Sequence, residues 1–148
     1  MKKILGSILC LALVGCYETS GPPIPVVSQK SPALGPYSSA MVHGDTIYLS
    51  GIIALDPVTK AFAPANIEAQ FAQSFANMQT ILAASGTDLE HVIKVTVYLK
   101  NGADFPALNK VYAEAFAPYK PARTTVPGME WGRDDIMIEL DVIAAKKH

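Results

Sequence analysis

The ten residues His91-Val92-Ile93-Lys94-Val95-Thr96-Val97-Tyr98-Leu99-Lys100 decide the fold. Ile93, Val95, Val97 and Leu99 share one face; Lys94, Thr96 and Tyr98 share the other. A period of two is that of a half-buried β-strand. Upstream, Ile67, Phe71, Phe75, Met78 and Leu82 recur in steps of three and four, which is one face of an amphipathic helix. Asn66 is placed to cap that helix and Gly86 to end it. Downstream, Asp104 is expected to cap a second helix that tolerates Pro106 in its first turn. Leu108, Val111, Tyr112 and Ala115 or Phe116 form its apolar side, and Pro118 ends it.

Further out, residues 123–126 read as a short strand, followed by an irregular loop at Pro127-Gly128 and Trp131-Gly132. In the last strand Ile136, Ile138, Leu140 and Val142 form one face; Met137, Glu139, Asp141 and Ile143 form the other. Before the first helix, strands are expected at residues 26–29, 38–43 and 46–54, with a turn at His43-Gly44-Asp45 and another at Asp56-Pro57. Gly51 weakens the third of these, which points to a bulge or to close approach of a ligand to the backbone. The order reads ββαβαββ. Strand–helix–strand units of this kind give an α+β fold: a mixed β-sheet with two helices on one face. Glu139 then points away from the helices. The mixed character of that side, with Met137, Ile143, Tyr98 and Thr96, predicts a partly covered face, and a subunit interface is one cover.

The chain has 148 residues, enough for one domain, and half of them are apolar, so a full core can form. Twelve basic residues face thirteen acidic ones, which leaves no electrostatic footprint for nucleic acid. Cys10 and Cys16 both lie in the first sixteen residues, so the folded domain is expected to hold neither a disulfide nor a cysteine-based metal site. His43, His91 and His148 have no ligand spacing, so no metal site is expected from them.

Residues 1–16 read as an address rather than a part of the fold. Lys2 and Lys3 give a positive start, and an apolar run follows that is too short to span a bilayer. It ends in Leu13-Val14-Gly15-Cys16, which resembles the bacterial lipobox. In a lipobox the cysteine is lipidated and becomes the mature N-terminus, so Cys16 is the expected anchor to a membrane in the bacterial cell envelope. Residues 17–30, with Gly21-Pro22-Pro23 and Pro25, read as a proline-rich tether leading into the first strand. Residues 31–148 form the domain.

Two charged residues carry a possible chemistry. An arginine fork such as Arg123 suits a carboxylate, and a glutamate such as Glu139 can orient or deprotonate a water. Isolated Arg and Glu residues are usually solvated surface charges. The surrounding sequence decides for this pair.

That sequence resembles the RidA (YjgF) family of enamine/imine deaminases over residues 31–144. The resemblance is carried by Ala33-x-Gly35-Pro36-Tyr37-Ser38, Tyr48-Leu49-Ser50-Gly51, Asp56-Pro57, Asn77, Leu82, Val95-Thr96-Val97-Tyr98-Leu99, Phe105-x-x-x-Asn109-x-x-Tyr112, Pro121-Ala122-Arg123-Thr124 and Ile138-Glu139-Leu140-Asp141-Val142-Ile143-Ala144. It implies a chorismate-mutase-like fold and a homotrimer with ligand clefts between neighbouring subunits. It further implies that Arg123 binds the carboxylate of a 2-imino or 2-enamino acid. Glu139, with a backbone carbonyl near Thr125, would hold the attacking water. Tyr37, Ser50, Gly51 and Asn109 match the remaining cleft positions, and no metal or organic cofactor is implied. The sequence departs from the family pattern at Ser39 and Ile52, where glutamine is common, and at Trp131-Gly132, where Leu-Pro is usual. The loop between Arg123 and Glu139 is one residue longer, and Trp131 and Arg133 are placed to reshape the cleft mouth. Two other readings stand beside deamination. One is a non-catalytic envelope module that binds a small carboxylate. The other is the ribonuclease or translation-inhibitor activity ascribed to some relatives, against which the balanced charge and the export signal both argue.

Overall fold

A computed structural model describes residues 21–31 and 33–148. The expected signal peptide, Cys16 and the first part of the tether lie outside the described residues. The elements are β1 (Ile24–Val26), β2 (Ala40–His43), β3 (Thr46–Leu49), β4 (Ile52–Ile53), α1 (Ile67–Ala84), β5 (Val92–Leu99), α2 (Phe105–Ala115), β6 (Ala122–Pro127) and β7 (Ile138–Ala145). One sheet runs in the order β1-β2-β3-β7-β5-β6, with β4 also on β7. The pair β5–β6 is parallel and the other pairs are antiparallel. The fold is therefore the expected mixed sheet with two helices, but four strands precede α1, because the expected strand at 46–54 is divided into β3 and β4.

The core forms where alternate residues of the central strands meet the helices. Val95, Val97, Leu99, Ile138, Leu140 and Val142 are fully buried, beside Phe71, Met78, Leu82 and Leu108. Four rings knit the two helices together. Phe75 meets Phe116 edge-on at 5.2 Å, and Tyr112 stacks on Phe116 at 4.4 Å. Phe71 lies 5.8 Å from Phe75 and 6.1 Å from Tyr112. The ends of α1 are as expected. The Asn66 side chain accepts from the Ala69 N–H at 2.8 Å, and Gly86 adopts φ +76°. The Thr87 and Gly86 N–H groups then close on the Leu82 and Ala83 carbonyls, a Schellman ending.

Several boundaries differ from expectation, each for a local reason. The first strand is Ile24–Val26, not residues 26–29, and it contains Pro25. An edge strand tolerates a residue that lacks an N–H. Ile93 is exposed, and Val92 is buried in its place. Val92 pairs with Ala144 and Lys94 with Ile143, so Ile93 is the extra residue of a β-bulge that reverses the alternation at the strand's start. A second bulge interrupts the expected strand at 46–54. Tyr48 pairs with Ile143 and Ile52 with Leu140, so Leu49, Ser50 and Gly51 span the length of Asp141 and Val142. Asp104 makes no capping hydrogen bond with its side chain; it sits at the end of a 3-10 turn with helical backbone angles. Ile136 is buried but precedes the last strand, which starts at Ile138.

The buried face of α1 also carries amides that periodicity does not reveal. Gln70 is fully buried. It donates to the carbonyls of Ala63 (3.2 Å) and Asp135 (2.6 Å) and accepts from the Met137 N–H (2.8 Å). Asn77 donates to the carbonyls of Ile53 (3.1 Å) and Leu55 (2.8 Å). Replacing Gln70 by Leu leaves three backbone groups without their partner. Gln70→Leu is expected to lose about 3 kcal/mol of stability, read as a lower urea midpoint at unchanged slope.

Candidate functional site

The register places the candidate residues in two groups on opposite faces of the sheet. Arg123 pairs with Val95 and Thr125 with Val97, so both lie on the helix side of the edge strand β6. Glu139 pairs with Tyr98, whose neighbours Val97 and Leu99 point into the core, so Glu139 lies on the far side. A single chain therefore does not bring Arg123 and Glu139 together.

The first group is built by β6 and α2. Arg123 Nη2 donates to Asn109 Oδ1 at 2.7 Å. Its guanidinium lies 4.7 Å from the centre of the Tyr112 ring and 5.6 Å from that of Phe105. Phe105, Asn109 and Tyr112 fall on one side of α2 because they are spaced by four and three. A cation over two rings is held by about 1 kcal/mol or more per contact where water is excluded. These contacts fix the plane of the fork and leave its remaining N–H groups for an anion. Burial pushes the Tyr112 phenol up to about 12, against the opposing charge of Arg123, so the phenol stays protonated at neutral pH. Its hydroxyl and that of Thr125 are buried without a hydrogen-bond partner among the described residues.

The second group surrounds Glu139. The half-buried Glu139 carboxylate reaches the backbone at Gly51 so closely that a Cβ there would collide with Oε1. Of the two expectations at Gly51 the bulge is the one found, and the group that lies against the backbone there is the Glu139 side chain. Ser50 Oγ donates to the Ser38 carbonyl at 2.7 Å, which ties this bulge to the segment that carries Tyr37. Tyr37 is half exposed. Tyr37, Ser50 and Gly51 line one small cavity of about 40 Å³ with Ile53, Leu55 and Asn77. Ser39, at one position of departure from the family pattern, is buried and bonds the N-terminal segment through the Ser28 N–H (3.2 Å) and the Ser31 carbonyl (3.3 Å).

One contact escaped the residue-type reading. Trp131 Nε1 donates to Glu139 Oε2 at 2.9 Å. The signal that could have found it was the departure at Trp131-Gly132. Arg133 forks onto Asp135 at 2.6 and 2.8 Å and lies over the Phe62 ring. Among the described residues no three His, Cys, Asp or Glu side chains gather closely enough to hold a metal ion.

Known proteins resemble this chain in sequence and fold. The pattern of the family described as Endoribonuclease L-PSP matches residues 28–146. The RutC family protein PH0854 of Pyrococcus horikoshii is 42% identical over 114 residues, which cover 77% of this chain and 90% of that one. A 2-iminobutanoate/2-iminopropanoate deaminase of Dermatophagoides farinae is 41% identical over 93 residues, 63% of this chain and 73% of that one. Among solved structures, that of E. coli TdcF with bound serine superposes with a TM-score of 0.75 at 29% identity, covering 84% of this chain and 99% of that one. Fold, matched span and kinship agree: the chain belongs to the Endoribonuclease L-PSP family, that of RidA and YjgF.

Proposed function

We propose that this protein hydrolyses 2-imino and 2-enamino acids to 2-oxo acids and ammonia, in clefts formed between the subunits of a homotrimer. The observation that carries the reading is the split site. Arg123, braced by Asn109 and two rings, and Glu139, beside Gly51, occupy opposite faces of one sheet. They serve one substrate when the far face of one subunit meets the β6 edge of the next. The half-exposed Tyr48 on that far face is consistent with such a cover. Kinship with the mite imine deaminase supports the substrate class.

The chemistry asks for orientation more than for a strong nucleophile, because an imine carbon is already electrophilic. Arg123 binds the substrate carboxylate through two parallel N–H groups. Tyr37, Ser50, Gly51 and Asn109 complete the cleft, and the backbone at Thr125 helps hold the water. The water oxygen bonds to the imine carbon. One water proton passes through Glu139 to the imine nitrogen and gives a carbinolamine. The proton of its hydroxyl then passes through Glu139 to the amine as the C–N bond breaks, releasing ammonia and a 2-oxo acid; an enamino acid first tautomerises to the imine.

A second reading has the same cleft binding a small carboxylate without turnover. The serine in the TdcF structure favours it, since serine carries the carboxylate and not the imine. A coupled assay separates the two. Imino acids are generated by an amino-acid oxidase and trapped with semicarbazide. The wild type is expected to lower the semicarbazone yield, and Arg123→Ala and Glu139→Gln to lose at least about a hundredfold in rate. Binding of a small carboxylate with no turnover in any of the three would establish the second reading.

The shared cleft makes its own prediction. Mixed trimers of Arg123→Ala and Glu139→Gln subunits regain a site wherever an intact Glu139 meets an intact Arg123. With random mixing at equal amounts, about one site in four is whole, because each head-to-tail interface draws its two halves independently. Co-expression of the two inactive variants is expected to recover about a quarter of wild-type activity; no recovery would mean that the cleft lies within one chain.

We further propose that Cys16 is lipidated and holds the protein at a membrane of the bacterial cell envelope. What supports this is the agreement of Lys2 and Lys3, the short apolar run and Leu13-Val14-Gly15-Cys16. Cys16→Ser is expected to release the protein from the membrane fraction and to abolish incorporation of labelled fatty acid.

A further inference from the structure

We propose that Trp131 is a positioning residue that assigns the two oxygens of Glu139 to different tasks. Oε2 accepts the indole N–H at 2.9 Å. Oε1 lies against Gly51, at the one backbone position where the absence of a side chain leaves room for it. An indole N–H donates and cannot accept, so it restrains Oε2 without competing for a proton. Oε1 is then the oxygen that holds the water and takes its proton. This inference rests on the deaminase reading above. In that reaction Oε1 relays both water protons to nitrogen in turn, the first as the carbinolamine forms and the second as the C–N bond breaks and ammonia leaves.

The loop that carries Trp131 is built to hold the ring in place. The Met129 N–H donates to the Leu99 carbonyl at 3.0 Å, which anchors the loop to the end of β5. Lys100 donates to both the carboxylate (2.8 Å) and the carbonyl (3.0 Å) of Asp134, and its ammonium holds that carboxyl below the usual range. Gln70, buried on α1, grips the Asp135 carbonyl and the Met137 N–H. Gly132 takes φ +66° beside the ring, a conformation that costs other residues energy. Three attachments and one turn conformation thus fix the loop that carries the donor to the carboxylate. A glutamate carboxylate on three rotatable bonds loses productive geometry readily, and small misplacements at a reacting centre are costly in rate.

The chain contains a single tryptophan, so its indole N–H gives one resonance and one fluorescence signal. Trp131→Phe keeps an aromatic ring and removes the donor. It is expected to retain the wild-type melting temperature and KM while kcat falls about tenfold. In the wild type, the indole N–H resonance is expected to lie downfield, as a hydrogen bond to a carboxylate requires, and to move upfield in Glu139→Ala. An unchanged kcat in Trp131→Phe, or a rise in KM alone, would overturn the assignment. So would an indole resonance indifferent to Glu139→Ala. If the wild type itself hydrolyses no imine, the deaminase reading fails by that result. The resonance then still decides whether Trp131 holds Glu139, and a shift on adding pyruvate, as a small carboxylate probe, decides whether the held carboxylate faces the ligand.

Discussion

The molecule depends on the register of β7. This strand bonds to β3 and β4 on one side and to β5 on the other, and its alternate residues Ile138, Leu140 and Val142 are buried to completion under the helices. Because the side-chain period of a strand is two, a slip of one residue would turn all three out and drive Glu139 and Asp141 into the core. Burying two unpaired carboxylates costs far more than the strand pairing returns. The apolar face therefore fixes where Glu139 points, and core formation and site formation are one event. Both bulges lie in the neighbours of β7, at Ile93 and at Ser50-Gly51, so the strand that bears the carboxylate runs unbroken past them.

The same periodicity places Arg123 and Glu139 on opposite faces of one sheet. Arg123 shares a face with Val95 and its helices, whereas Glu139 shares the other with Tyr98. Arg123 can sit on the helix side only because β6 is the edge strand, where the guanidinium passes beyond the core to reach Asn109 and the rings of α2. An arginine at the same face of β5 would be buried under α1 without an anion. Placing the cation at an edge and the carboxylate on the open face also keeps the two from forming an ion pair within one chain, which would leave neither for a substrate.

Much of this was legible in the sequence. Alternation over residues 91–100 and 136–143 and the helical spacing from Ile67 to Leu82 were enough for the layers, and the two residues Arg123 and Glu139 could be singled out by residue type and resemblance. What periodicity could not supply was the position of single extra residues. Ile93 fits the apolar face by pattern, but the bulge turns it outward and buries Val92 instead. Nor did Asp104 cap its helix: a 3-10 turn had already set its backbone in the helical region, which denies the side chain the extended geometry a cap requires. The partition of Arg123 and Glu139 between faces needed the parallel register of β5 and β6, which no local pattern encodes. Trp131 was visible only as a departure from the family pattern, and its partner was set by a loop whose path depends on contacts far away in sequence.

The buried amides of α1 link these observations. A buried amide is costly unless its hydrogen bonds are made, so such residues act as specific clamps where apolar ones would act as filler. Gln70 clamps Asp135 and Met137, the exit of the Trp131 loop; Asn77 clamps Ile53 and Leu55, on and just beyond the strand that flanks Glu139. Both side chains thus reach from the helix to the backbone on the two sides of the carboxylate. An apolar α1 would pack the same sheet, yet leave the loop and the β4 edge free to choose among several arrangements. The helix therefore does more than cover the core. Its two amides tie the core to the backbone segments on either side of Glu139, so the packing of the helix and the placing of those segments are set together.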